Sequence, residues 1–124
     1  SPYENILENY SRGLHTLILL DIKEDEGRYM TANQAMQWLL DAEQRVGKGL
    51  VTDSSLFCAG ARIGSKSQAL LAGYPKDIVT ANMGPPLHCM VMPGKLHFME
   101  AEALMALADA PKEIMDAHPL RDDH

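Results

Sequence analysis

Residues 84–104 have the sequence GPPLHCMVMPGKLHFMEAEAL, which contains a proline turn, an apolar strand, a second turn and a helix in that order. The two prolines after Gly84 cannot continue a helix, so a turn is predicted there. The apolar run 87–92 predicts a buried strand. After Pro93 and Gly94, apolar residues recur at helical spacing over about 97–108. A strand followed at once by a helix indicates a fold in which the two kinds of element alternate.

The rest of the chain continues this alternation. The nearly continuous apolar runs 14–22 and 56–63 predict strands buried on both faces, and 69–73 predicts a weaker strand. The charged segment 23–29 contains Gly27 and is predicted to be an exposed loop. Helices are predicted at 2–12, 31–47, 75–81 and 111–117. The predicted fold class is therefore α/β, with a mixed β-sheet flanked by helices, in one domain over 1–118 followed by a flexible tail at 119–124.

Two helix starts carry capping signals. Ser1, Pro2 and Glu4 predict an N-cap serine, a proline at the first helical position and a capping box. Thr31 with Gln34 predicts a second capping box. Gly13 and Gly47 are expected to end the two helices.

Size and charge exclude several classes of protein. The 124 residues, 46% apolar and 23% charged, suit one soluble domain. The formal net charge of −6 and the scattered Lys and Arg residues argue against nucleic acid as a partner. No apolar run reaches the roughly 18 residues of a membrane span, and no signal peptide opens the chain, so neither membrane nor export is predicted. Because the first residue is serine, we expect the chain either to be cut from a longer protein or to have had a tag removed.

The cysteines and histidines do not predict a disulfide or a metal site. Cys58 and Cys89 are in no CxxC spacing and are expected to be small buried residues in a reducing compartment. His15, His88 and His97 lack the short spacing of zinc ligands. His15 is expected to be a hydrogen-bonded or edge histidine.

Three places remain as candidates for ligand contact. His88 lies where a proline turn enters a strand, and its imidazole could offer a donor or an acceptor to a ligand. Residues 61–65, ARIGS, end a predicted strand in a turn, and ligands in α/β proteins tend to bind beyond strand ends. Residues 94–97, at a helix start, suit an anion or form an ordinary turn with a solvated lysine, and the sequence leaves both possibilities open.

No catalytic residue can be assigned from spacing. Glu100 and Glu102 fall on different faces of the predicted helix, so they cannot form an acid–base pair. We expect them to be solvated or bound to Lys95 or Arg62. No serine or cysteine nucleophile is paired with a base at a recognisable spacing.

Four segments together resemble the diphthine synthase family, most closely in its archaeal form. They are GLHTLILLDIK at 13–23, RYMTANQAMQWLL at 28–40, ARIGS at 61–65 and GPPLHCMVMPGKLHFMEAEAL at 84–104. The resemblance extends from Tyr3 to about Ile114.

This resemblance implies the tetrapyrrole-methylase fold, in which S-adenosyl-L-methionine lies in a cleft between two α/β lobes. The family transfers methyl groups to a modified histidine of translation elongation factor 2 during diphthamide biosynthesis. The resemblance implies that this chain is the C-terminal lobe. We therefore expect an N-terminal lobe of the same enzyme as a partner, a homodimer, a cytoplasmic location and little activity from this part alone.

Carried over one by one, the family's cofactor contacts fall on Leu20, Ile63 and His88. Leu20 lies at the end of the first predicted strand, Ile63 in the ARIGS turn, and His88 after the proline turn. The family commonly has an acidic residue between the glycine and the prolines of that turn. Here Pro85 follows Gly84 directly, which puts the register of His88 in doubt.

Two other functions compete with this interpretation. One is a lobe of a sister enzyme that methylates a corrinoid or porphyrin ring. The other is a non-catalytic module for dimerisation or interaction, in which apolar helix faces form a symmetric interface.

Overall fold

The computed structural model describes residues 2–18, 20, 22–23 and 28–117. Its helices are α1 (Pro2–Ser11), α2 (Ala32–Val46), α3 (Pro75–Thr80), α4 (Phe98–Ala108) and α5 (Ile114–Ala117). Its strands are β1 (Thr16–Ile18), β2 (Ile22–Lys23), β3 (Arg28–Tyr29), β4 (Phe57–Ala61), β5 (Ala69–Gly73) and β6 (His88–Met92).

Most predicted elements are present, with small shifts at their ends. The strand predicted at 14–22 is the exception, because Thr16–Ile18 lies in the four-stranded sheet and Ile22 in a separate two-stranded sheet. The strand predicted at 69–73 has those bounds, and the one predicted at 87–92 begins a residue later. The segment predicted as a loop at 23–29 begins and ends in a short antiparallel ladder that pairs Ile22 with Tyr29 and Lys23 with Arg28. The cap predicted at Ser1 and the tail predicted at 119–124 lie outside the described residues, so both stay predictions.

The main sheet has four strands in the order β1-β6-β4-β5. The predicted α/β class, with helices flanking a sheet, is confirmed. The expected mixture of strand directions is not found, because every ladder among the described residues is antiparallel. The reason is local: β4 and β5 are joined by a turn too short for a parallel crossover, and β6 runs against both of its neighbours.

The sheet separates two hydrophobic clusters. Phe57, Ala59 and Ala61 of β4 pack in the larger cluster with α1, α2 and α3, whereas Cys58 contacts the smaller cluster formed mainly by α4 and α5. Successive side chains of a strand point to opposite faces, so β4 supplies both clusters. The nearly continuous apolar run of β4 follows from this two-sided burial.

Strand β1 lies at the edge of the sheet, and the prediction that it is buried on both faces is wrong. Leu17 is 60% exposed and Leu14 is 50% exposed. Ile18, on the opposite face from Leu17, packs against the larger cluster. An apolar run alone does not distinguish a central strand from an edge strand that leaves one face uncovered.

Helix α2 begins and ends as predicted. The Thr31 hydroxyl accepts from the Gln34 amide, and the Gln34 side chain accepts from the Thr31 amide. Gly47 ends the helix in the left-handed conformation at φ 67°. These contacts satisfy amides and carbonyls that a helix end leaves without partners.

The carboxylate of Glu43 joins α2 to α1 and to the loop after α2. It accepts from the Tyr3 hydroxyl at 2.7 Å, the Gly49 amide at 2.9 Å and the Val51 amide at 2.7 Å. Burial raises the pKa of Glu43, but the donors of Val51, Tyr3 and Gly49 together outweigh it and hold the pKa below its ordinary value. The ionised carboxylate is thus favoured in the folded protein.

Replacing Glu43 with glutamine is expected to lower the free energy of unfolding at pH 7 by about 1–3 kcal/mol, because a charged acceptor is lost. The folded pKa is below the unfolded one, so this stabilisation is complete above the ordinary value of 4.5 and is lost as the pH falls through the folded pKa. Urea unfolding across this pH range should show the two proteins converging in acid. Asp41→Asn, which changes an exposed carboxylate, is the control, and an equal loss in both variants would contradict the role of Glu43.

Candidate functional site

A cavity of about 430 Å³ opens where β4 ends and β6 begins. It lies between the turn that follows β4 and the proline turn that precedes β6. The lining combines glycine, apolar side chains and few charges: Gly60, Arg62, Ile63, Ser65, Pro86, Leu87, His88 and Cys89.

The floor of the cavity is formed by the sheet face that points away from the larger core cluster. Gly60 pairs with Cys89 across the β4–β6 ladder. A Cβ added to Gly60 would lie 2.6 Å from Ile63 Cδ1, so the absence of a side chain lets Ile63 fold over the strand. Ile63 is 62% exposed and Leu87 is 59% exposed, and together they give the cavity an apolar rim.

The imidazole of His88 is buried, and both ring nitrogens have partners within the chain. Nδ1 accepts from the amide of Ala32 at 3.1 Å, and Nε2 lies 2.9 Å from the carbonyl oxygen of Gly84. Because Nδ1 accepts, the ring proton is on Nε2, which donates to Gly84. His88 therefore connects the start of α2 to the proline turn. Its ring nitrogens are not available to a ligand, so any contact in the cavity would be through its main chain or ring carbons.

Arg62 is half-buried and connects the two turns beside the cavity. Its guanidinium donates to the Ser67 carbonyl, with Nη2 at 2.8 Å, and to the Ser67 hydroxyl at 3.0 Å. On the other side it donates to the carbonyls of Met83, at 3.0 Å, and Pro85. Sequence analysis missed this role, because the bonded residues are far apart along the chain and form no spacing pattern.

The helix start after β6 is held by contacts within the chain. His15 Nδ1 accepts from the Gly94 amide at 2.9 Å, and His15 Nε2 lies 3.0 Å from a Glu100 carboxylate oxygen. Glu100 also accepts from the His97 amide, and His97 Nδ1 accepts from Met99. The amides of Gly94, Lys95, His97 and Met99 are thus already bonded within the chain, which favours the ordinary turn over the anion site.

Glu100 is exposed, as the solvated alternative predicted, but its partners are His15 and the His97 amide, so the alternative that pairs it with Lys95 or Arg62 is wrong. The hydrogen bond from the His97 amide lowers the pKa of Glu100 by more than burial raises it, and the hydrogen bond from His15 lowers it further. The prediction of a hydrogen-bonded His15 is confirmed.

Of the three predicted cofactor contacts, two lie together. Ile63 and His88 both line the cavity. Leu20 is not in this lining and packs against the larger core cluster. The β1–β6 ladder ends where Ile18 pairs with Met90, so Leu20 and His88 each lie two residues beyond its last pair. The cofactor contacts of all three residues stay predictions.

The described residues contain no cluster of three or more His, Cys, Asp or Glu side chains placed to hold a metal ion. Cys58 and Cys89 are free thiols. Burial raises the pKa of the Cys58 thiol to about 11, so it stays protonated near neutral pH and is a poor nucleophile. Over the same part of the chain, no helix is both long and apolar enough to span a membrane.

An antiparallel sheet between helical layers, with an open cavity beside its strand ends, defines a domain of the α/β class with one candidate ligand site among its described residues. Among curated proteins, the diphthine synthases of Methanosarcina mazei and Methanocaldococcus jannaschii are 48% and 46% identical to 94% and 88% of this chain. No family model matches the chain. The chain spans about 43% of the length of each of these relatives.

Solved structures agree with the sequence comparison. A crystal structure of a diphthine synthase superposes with a TM-score of 0.80 at 30% identity, over 94% of this chain and 43% of that one. A protein of Entamoeba histolytica assigned as a diphthine synthase gives 0.81 at 30% identity, over 89% and 44%. The chain is therefore a homologue of the diphthine synthases, and the resemblance found in its four sequence segments is confirmed.

Proposed function

We propose that the full-length protein containing this chain is an S-adenosyl-L-methionine-dependent methyltransferase of diphthamide biosynthesis, and that the chain corresponds to its C-terminal lobe. The observation that carries the proposal is the 48% identity to a diphthine synthase over 94% of the chain. The partial span, 43% of that relative, agrees with one lobe of two.

The cavity has a size and lining that suit a nucleoside cofactor. Its volume of about 430 Å³ is within the common range of ligand sites, roughly 300–1,000 Å³. Ile63 and Leu87 offer apolar surface for a flat ring. Gly60 leaves room for Ile63 to fold over β4, which sets the position of this part of the apolar rim. The cavity is open, so an element from outside this chain is needed to cover a bound molecule.

In this proposal Ile63 and His88 contact the cofactor from the two turns, and Leu20 contacts it from beyond the end of β1. The hydrogen bonds of His88 to Ala32 and Gly84 indicate that it acts by fixing the proline turn and through its main chain. Ile63 contributes the apolar rim. Leu20, which does not line the cavity, depends most on the second lobe to complete its site.

When bound, the cofactor supplies a methyl group already activated by the sulfonium charge. The residues of this chain are left to orient the donor and to exclude water from it, and alignment of donor and acceptor accounts for much of the rate. No general base is assigned, since Arg62 is a cation and both ring nitrogens of His88 are engaged.

The proposed substrate is the modified histidine of translation elongation factor 2, whose amino group accepts the methyl. The proposed partners are the N-terminal lobe of the same enzyme and a second copy of the enzyme in a homodimer, in the cytoplasm. The exposed apolar rim supports a covering lobe, because apolar surface beside a cavity is stabilised when it is buried.

The test is to incubate the full-length protein with elongation factor 2 and a cofactor labelled in its methyl group. We expect label in the factor and none when its acceptor histidine is replaced. Transfer to a porphyrin or corrinoid but not to the factor would favour the sister enzyme. If nothing is labelled and the cofactor does not bind, the protein is a non-catalytic module.

A further inference from the structure

We propose that Arg62 is the positioning residue that fixes the two walls of the cavity for cofactor binding. The inference rests on the proposed function, since it assumes that the cavity binds S-adenosyl-L-methionine. Arg62 would act through the two turns that it connects and not by chemistry on the cofactor.

The proline turn is fixed by its main-chain carbonyls. Arg62 donates to the carbonyls of Met83 and Pro85, and His88 donates to the carbonyl of Gly84 between them. Two side chains thus hold three successive carbonyl groups of one turn. Pro86 and Leu87, which directly follow, line the cavity.

The turn after β4 is fixed by the same arginine. The guanidinium of Arg62 donates to the carbonyl and hydroxyl of Ser67. The main-chain carbonyl of Arg62 accepts from the Ser65 amide and hydroxyl. The Arg62 amide donates to the carbonyl of Leu87 at 2.8 Å. Ile63 and Ser65, which line the facing side of the cavity, lie within this turn.

The geometry requires a guanidinium at this position. Its donors point in several fixed directions in one plane, so one group reaches Ser67 on one side and Met83 and Pro85 on the other. The backbone of Arg62 is left-handed at φ 49°, which few residues other than glycine adopt. Gly84 leaves room for the group, because an added Cβ would lie 3.2 Å from Arg62 Nη2.

Without the guanidinium, the two turns keep the bond from the Arg62 amide to the Leu87 carbonyl but lose every side-chain contact of Arg62. The walls can then shift relative to each other while the sheet beneath them keeps its ladders. The expected consequence is loss of cofactor affinity that exceeds any loss of stability. Small displacements of binding groups from their productive positions lower affinity or rate by large factors.

The experiment compares wild type, Arg62→Ala and Arg62→Lys in the full-length protein. Calorimetry measures the Kd for S-adenosyl-L-methionine, and thermal unfolding measures Tm on the same samples. We expect Arg62→Ala to weaken binding by about 10- to 100-fold. Arg62→Lys should recover little, because one ammonium group cannot reach both turns. Methylguanidinium at millimolar concentration should restore part of the affinity of Arg62→Ala, and Arg12→Ala, which removes an exposed arginine, should bind as wild type.

The outcomes separate a positioning role from a purely structural one. A lower Tm with unchanged Kd would overturn the inference, as would an affinity loss that follows Tm and does not respond to methylguanidinium. If Arg62→Ala does not fold, the Kd of folded Arg62→Lys tests the positioning role. Weaker cofactor binding than wild type supports the role, and binding equal to wild type overturns it. The wild type is measured first, and if it binds no cofactor the proposed function fails and this inference fails with it.

Discussion

Phe57→Ala is expected to lower the free energy of unfolding by about 3–5 kcal/mol, the usual cost of truncating a buried aromatic side chain. Phe57 begins β4 and is fully buried, at 0% exposure, in the larger core cluster. Truncation removes its apolar contacts and leaves a cavity between the sheet and its helical layer. Since domains of this size are stable by about 5–15 kcal/mol, the substitution is expected to remove about a fifth or more of the free energy of unfolding.

Urea unfolding of the chain measures this effect, and Leu107→Ala provides a matched control. Leu107 is on α4 and is 71% exposed, so its truncation should change the free energy of unfolding by less than about 0.5 kcal/mol. The denaturant slope should stay the same in both variants, so that the midpoint alone reports stability. A loss under about 1 kcal/mol for Phe57→Ala would mean that β4 does not pack as described.

Local signals predicted the elements well because local contacts determine their ends. The capping box of Thr31 and Gln34 and the stop at Gly47 involve residues that are near neighbours in the sequence. The apolar run of β4 marks a central strand, since both of its faces are covered. The similar run at 14–22 led to the wrong prediction of burial on both faces, because β1 is an edge strand whose uncovered face leaves Leu17 exposed.

The candidate site was only partly predictable from the sequence. His88 and the turn at 61–65 were candidates from the residues alone, and the family resemblance then singled out Ile63 and His88 as cofactor contacts. The fold brings these two residues to one cavity. The contacts of Arg62 with Met83 and Pro85 join segments that are distant in the sequence, and neither periodicity nor spacing predicts such contacts. The link between Glu100 and His15 was missed for the same reason. Glu100 also occupies helix position N3, where its carboxylate accepts from the His97 amide, a capping contact that sequence analysis did not predict.

His88→Ala is expected to lower the free energy of unfolding by about 2–4 kcal/mol and to weaken cofactor binding in the full-length protein. Ala32 lies in the first turn of α2, where amides have no partner within the helix. The Ala32 amide donates instead to His88 Nδ1, and this hydrogen bond is buried. A buried donor left unpaired costs about 1–3 kcal/mol. Release of the Gly84 carbonyl adds less, because Gly84 is exposed and water can replace the lost donor.

Two conservative variants separate the contributions of the ring nitrogens. His88→Asn places an acceptor near the position of Nδ1 and should keep the Ala32 bond, whereas His88→Gln places a donor near Nε2 and should keep the Gly84 bond. If the buried amide determines stability, His88→Asn is the more stable of the two by urea unfolding. If the proline turn determines binding, His88→Gln retains the greater affinity for S-adenosyl-L-methionine by calorimetry. Equal behaviour in both measurements would show that packing of the ring, and not its two hydrogen bonds, is what His88 provides at the cavity.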